Sequence, residues 1–104
     1  MTKACVLVFA GLDPSGGAGI QADIHAISAA GAHALPLITA LTVQTNQRVQ
    51  ALHPVAATLL RAQAEALIAH GTRINAVKIG IVGNAANAEV IADIVDLEIG
   101  RAHV

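Results

Sequence analysis

An uninterrupted apolar run, Cys5-Val-Leu-Val-Phe9, is followed by a loop carrying Gly16, Gly17 and Gly19. Beyond that loop Ile20, Ile24 and Ile27 recur at helical spacing, and Gly31 stands where a helix C′ residue belongs. A run without polar alternation is the habit of a strand covered on both faces, as in parallel sheets. Strand, glycine-rich turn and helix are therefore predicted in that order, and the order recurs along the chain.

The second unit is a strand over Ala34–Gln44. Pro36 has no N–H for a ladder, so it belongs at a strand start or on an edge. The polar stretch Gln44–Arg48 precedes a short extra strand over Val49–His53. Pro54 is placed to open a helix, with Leu60, Ala64, Leu67 and Ile68 on its buried stripe and Gly71 after its end. In the third unit Ile74–Ile79 reads as strand, Gly80–Gly83 as turn and Asn84 as N-cap. A helix follows with Val90, Ile91, Ile94 and Leu97 on one face. Such alternation implies an α/β fold with a mainly parallel sheet flanked by helices.

Composition bears on how much of a fold this is. In 104 residues, 55% are hydrophobic and only 12% charged, which excludes a disordered chain. A domain this short leaves much of its surface wet. So apolar a composition reads as a layer buried within something larger, the front half of an α/β domain. A net charge of −1 and a single aromatic residue give neither a phosphate-binding surface nor a stacking platform for nucleic acid. One cysteine, Cys5, permits no internal disulfide and suits a reducing compartment; in a buried strand it reads as an inert core thiol. The apolar stretch Ala4–Leu12 is too short to span a bilayer and lacks a signal-peptide cleavage pattern, so a cytoplasmic protein without a membrane partner is expected.

Ligands of open parallel sheets bind outside the carboxyl ends of the strands. Here those ends carry Gly11-Leu-Asp13, Val43-Gln-Thr-Asn46 and Gly80-Ile-Val-Gly83. The segment Gly11-Leu-Asp-Pro-Ser-Gly-Gly-Ala-Gly-Ile-Gln-Ala-Asp23 leaves two readings open: a cradle for an anion or polar ring at a helix N-terminus, or a structural tight turn. Asp13 and Ser15 add side-chain hydrogen-bonding capacity there. Gly17-Ala-Gly-Ile-Gln-Ala22 formally matches a dinucleotide fingerprint. That site needs an acidic residue roughly 20 positions on, and nothing acidic lies between Asp23 and Glu65. No Walker-type G-x-x-x-x-G-K-[ST] occurs either. Gln44 ends an apolar strand with one acceptor and two donors, which suits an amide-like ring edge; a solvated loop glutamine is the alternative. Lys78 reads as a snorkelling strand-end lysine or as a reach toward a rim anion. His25, His33, His53 and His70 share no ligand spacing, so no metal site is predicted. No Ser/His/Asp or Cys/His nucleophile set is assembled, and no catalytic residue is assigned in this chain.

Three segments, Gly11–Asp23, Ile38-Thr-Ala-Leu-Thr-Val-Gln44 and Lys78-Ile-Gly80, resemble the N-terminal half of the hydroxymethylpyrimidine/phosphomethylpyrimidine kinases of thiamine biosynthesis. The resemblance covers Ala4–Leu97 and implies a ribokinase-like fold, of which only the N-terminal half is present. It implies ATP- and Mg²⁺-dependent phosphorylation of 4-amino-5-hydroxymethyl-2-methylpyrimidine and then of its monophosphate. It places Gln44 on the pyrimidine and Gly11 and Ala18 in the same pocket, with Ile81 near the ring, and counts Asp13 and Asp23 of the shared motif among the substrate-binding residues. The family often has Asn-Thr or Asp-Thr after the glutamine, where this chain has Thr45-Asn46. The family's Gly-Thr-Gly-Cys anion hole and most of its ATP site fall beyond residue 104, so the chain alone is expected to be inactive. A homodimer is implied for the full-length enzyme. A pyridoxal/pyridoxine kinase and a non-catalytic pyrimidine-binding module are the alternatives. Residues 1–97 are taken as part of one kinase domain. Residues 98–104 are taken as a non-native tail, because they read like a translated sequencing adapter and Gly100 breaks the helical pattern.

Overall fold

The structure is a computed structural model and describes residues 3–102. Strand β1 (Cys5–Leu12) leads to helix α1 (Gly19–Ala29). Then come β2 (His33–Gln44), β3 (Val49–Pro54), α2 (Ala57–Ala69), β4 (Ala76–Ile79) and α3 (Ala85–Ala102). The sheet order is β3-β2-β1-β4. β1 pairs in parallel with β2 and β4, while β3 runs antiparallel to β2.

The apolar run became the central strand because both its faces are covered. Leu7, Val8, Phe9 and Ala10 are all buried. Leu7 and Phe9 pack with Leu37 against Leu60 and Ala64 of α2 and Val90, Ile91 and Ile94 of α3. Val8 and Ala10 turn the other way, onto Ile20, Ile24 and Ile27 of α1. Full burial of a side chain the size of Leu or Phe contributes roughly 1.5–3 kcal/mol, so β1 ties the two helix layers together. The outer strands are wetter: Ala76, Lys78 and Ile79 of β4 are exposed, as are most residues of β3. Pro36 lies opposite Val8, in the stretch of β2 before β3 begins to pair at Ala40, which meets the edge requirement.

Several boundaries differ from the sequence reading. Gly11 lies inside β1, at a register shift against β2, and does not end the strand. Pro54 does not open α2; it closes β3 opposite Ala40, and α2 starts at Ala57 after Ala56. Cys5 is half-buried at the first position of β1 and is not a core thiol. α3 continues through Gly100 to Ala102, because an interior glycine costs a helix only about 1 kcal/mol relative to alanine and keeps its N–H. The tail read as non-native therefore begins within this helix, and its last two residues lie outside the described residues. Asn84 does cap α3, its Oδ1 accepting the Asn87 N–H at 2.9 Å.

This topology sets the site. From β1 the chain passes through α1 to β2 on one side; later it returns across β1 to β4 on the other. The loop after β1 leads to the α1 face and the loop after β4 to the opposite face. The carboxyl ends of β1 and β4 thus form a topological switch point, where open α/β sheets bind ligands.

Candidate substrate site at the carboxyl edge of the sheet

Gly11, Gln44 and Ile81 converge on one edge of the sheet. Phe9 pairs with Ile79 and Leu12 with Leu41, so the ends of β1, β2 and β4 face the same way. Gln44 lies three residues past the partner of Leu12, an overhang of about 10 Å. The Thr45 N–H bonds the Arg48 carbonyl at 3.0 Å and closes the hairpin beyond it. A Cβ at Gly11 would stand 3.8 Å from the Ile81 Cβ and 3.5 Å from the Ala40 carbonyl, so Ile81 lies alongside the strand at ordinary contact distance from this position.

Thr42 joins Gln44 to this edge. Its Oγ1 lies 2.8 Å from the Leu12 carbonyl and 2.8 Å from Gln44 Oε1. A hydroxyl has one proton, and it cannot serve two acceptors. Turning the Gln44 amide over resolves the conflict: Nε2 then donates to Thr42, Thr42 donates to Leu12, and Oε1 is left for a ligand donor.

The glycine-rich loop already holds an anion, its own Asp13. This carboxylate is buried; Oδ1 accepts the Ser15 N–H at 2.8 Å and the Ser15 hydroxyl at 2.7 Å, and Oδ2 accepts the Ala18 N–H at 3.0 Å. The Ser15 hydroxyl, then the loop N–H groups, hold the Asp13 carboxyl below the usual carboxylate range, against the opposing effect of burial. Ala18 precedes α1 in extended backbone and is exposed beside this cluster. Gly19 has φ +72°, and a Cβ there would meet the Gly11 carbonyl at 2.5 Å, so the loop closes tightly onto β1.

Asp23 faces β4. Its Oδ1 accepts from Lys78 Nζ at 2.7 Å, and its Oδ2 is buried with no hydrogen-bond partner among the described residues. Lys78 thus reaches an anion, but one supplied by this chain, the Asp23 carboxylate, with Nζ 3.6 Å from where a Cβ at Gly80 would stand. His25, His33, His53 and His70 are all exposed.

The sequence reading missed two buried residues behind the edge, Thr39 and Asn87. Thr39 Oγ1 donates to the Ile81 carbonyl. Asn87 Nδ2 lies 3.2 Å from the Thr39 carbonyl, 3.1 Å from that of Val55 and 3.3 Å from that of Val82. The available signal was Asn87 itself, a polar residue on the apolar stripe of Val90, Ile91 and Ile94.

The sheet order and its flanking helices are those of a ribokinase-like α/β fold. The profile of the phosphomethylpyrimidine kinase family matches residues 13–104. The chain belongs to that family. It is 38% identical over 93 residues to the hydroxymethylpyrimidine/phosphomethylpyrimidine kinase of Escherichia coli, covering 89% of this chain and 35% of that one. It is 39% identical over 87 residues to the thiamine biosynthesis multifunctional protein ThiED of Corynebacterium glutamicum, covering 84% and 11%. The crystal structure of phosphomethylpyrimidine kinase from Clostridium difficile superposes with a TM-score of 0.83 at 35% identity, over 92% of this chain and 41% of that one. An ADP complex of Bacillus subtilis pyridoxal kinase gives 0.80 at 27%, over 93% and 38%. The chain thus spans about a third of the length of the E. coli kinase. Among the described residues, no helix is long and apolar enough to cross a membrane.

Proposed function

We propose that this chain forms the pyrimidine-holding front of a cytoplasmic kinase of thiamine biosynthesis. The whole enzyme phosphorylates 4-amino-5-hydroxymethyl-2-methylpyrimidine and then its monophosphate, using ATP and Mg²⁺. The observation that carries this reading is that Ile81 approaches Gly11 at the switch point, while Gln44 is joined through Thr42 to the Leu12 carbonyl at the same edge of the sheet, in a chain that belongs to the family. In this reading Gln44 hydrogen-bonds the ring, Gly11 and Ala18 line the pocket, and Ile81 packs on the ring. Asp13 shapes the glycine loop, and Asp23 holds β4 through Lys78.

The described residues do not fit a nucleotide or metal of their own. The loop N–H groups of Ser15 and Ala18 are taken by Asp13, and Lys78 is taken by Asp23. Phosphoryl transfer depends on positioning and on neutralising charge on the γ-phosphate. We assign those tasks to residues outside this chain and expect no turnover from it alone. We also read the whole enzyme as a homodimer and residues 98–104 as non-native.

The test is calorimetric titration of the chain with the hydroxymethylpyrimidine, with pyridoxal as competitor. Saturable pyrimidine binding that pyridoxal does not displace is expected. Gln44→Ala should weaken it by about 1–3 kcal/mol, the loss that follows from leaving ring polar groups unpaired. Binding of pyridoxal with no response to the pyrimidine would overturn the reading.

A further inference from the structure

We infer that Thr39 and Asn87 are positioning residues that set the Ile81 wall of the pocket. The inference rests on the reading of Gly11 and Ile81 as pocket walls. Residues 80–84 belong to neither strand nor helix, and beyond the Gly80 N–H, which donates to the Phe9 carbonyl at 2.7 Å, no ladder fixes their backbone. The Ile81 side chain is half-exposed and packing does not fix it either. What holds this turn is polar and buried. Thr39 grips the Ile81 carbonyl from the middle of β2, and Asn87 grips the Val82 carbonyl from the first turn of α3. The two are joined, since the Thr39 carbonyl accepts from Asn87 Nδ2. The same carbonyl accepts the Val55 N–H at 2.8 Å, which adds the exit of β3 to the knot.

The chemistry of Asn87 supports a placing role over a filling one. Its two N–H donors are shared among three carbonyls, while its Oδ1 is buried with no partner among the described residues. An orphaned acceptor is costly. An apolar side chain would fill the same space without that cost, so the amide is explained by the carbonyls it gathers. Space at the turn is also tight: a Cβ at Gly83 would stand 3.1 Å from the Thr39 carbonyl and 3.3 Å from Asn87 Nδ2.

The test uses the whole chain with methyl-labelled isoleucine. In the wild type an NOE between the Ile81 δ-methyl and the Gly11 Hα is expected. Thr39→Val, which keeps shape and removes the donor, should lose that NOE and raise the Kd for the hydroxymethylpyrimidine about tenfold, or ~1.4 kcal/mol. Thr39→Ser should restore both. Ile81→Ala leaves the buried knot intact and should raise Kd by a similar factor, with no further loss in the Thr39→Val/Ile81→Ala double variant. Persistence of the NOE in Thr39→Val overturns the inference, as does an unchanged Kd in Ile81→Ala. If the wild type binds no pyrimidine, the proposed function fails, and the NOE comparison still decides whether Thr39 places Ile81. If Thr39→Val does not fold, Asn87→Leu, which keeps bulk and removes the other donor to the turn, should lose the NOE instead, and its persistence there overturns the inference.

Discussion

Lys78 Nζ sits 2.7 Å from Asp23 Oδ1, so one ion pair ties the wet edge strand β4 to helix α1. The two partners are unequal: the Asp23 side chain is 16% exposed and that of Lys78 48%. Lys78→Met leaves a nearly buried carboxylate with neither oxygen partnered, whereas Asp23→Asn leaves an ammonium that water can still reach. Lys78→Met should therefore cost about 1–3 kcal/mol of stability, and Asp23→Asn about 1 kcal/mol or less. The double variant should recover part of the loss. Urea denaturation of the four proteins measures this, and equal losses in the two single variants would refute the asymmetry.

Gly19 and Gly31 share a positive φ but differ in surroundings. At Gly31 a Cβ would meet nothing within 4 Å, and at Gly19 it would strike the Gly11 carbonyl at 2.5 Å. Gly31→Ala should cost only the left-handed backbone penalty, about 1–2 kcal/mol. Gly19→Ala adds the displacement of the β1 end and should cost roughly 3 kcal/mol or more. Similar denaturation midpoints for the two variants would show that the close approach of the loop to β1 carries no weight.

The parts of the fold that were legible are those whose physics is local. Cys5–Phe9 reads as a doubly covered strand because every residue is apolar, and the α1 stripe reads from Ile20, Ile24 and Ile27. The shared edge follows from parallel topology alone. Pro54 misled because its fixed φ suits a strand end as well as a helix start, and only the pairing with Ala40 decides between them. Gly100 misled because α3 runs past it. The Thr39–Asn87 knot was out of reach: Thr39 meets Ile81 42 residues away, and Asn87 meets Thr39 at a separation of 48. Local periodicity puts Asn87 on the buried stripe of α3, but it does not register the distant carbonyls that Asn87 meets there.

Asp13 gives the chain an acid-sensitive element. Its folded pKa lies below the ordinary value, first through the Ser15 hydroxyl. A carboxyl lowered in the folded state stabilises the fold above the unfolded pKa of about 4. That stability drains away as pH falls through the folded pKa. The urea midpoint should therefore drop below about pH 4. Ser15→Ala should shrink the drop by letting the folded pKa rise toward normal, and Asp13→Asn should remove the Asp13 share. An unchanged difference in midpoint between wild type and Asp13→Asn across that window would assign the acid sensitivity to other carboxylates.

The single proton of Thr42 predicts which end of the Gln44 amide meets the ligand. With Nε2 turned to Thr42 and Thr42 donating to the Leu12 carbonyl, Oε1 is the group expected to pair with a ligand donor such as a ring amino group. Gln44→Glu keeps an acceptor toward the ring but adds a negative charge and gives up the Nε2 donor to Thr42, so it should lose affinity, though less than Gln44→Ala. Gln44→Ala should lose about 1–3 kcal/mol. Thr42→Val removes the hydroxyl that orients the amide and should fall between the two. Titration calorimetry ranks all three. If Gln44→Glu binds as poorly as Gln44→Ala, then Nε2 faces the ring and Thr42 donates to Gln44, leaving the Leu12 carbonyl as the unserved acceptor.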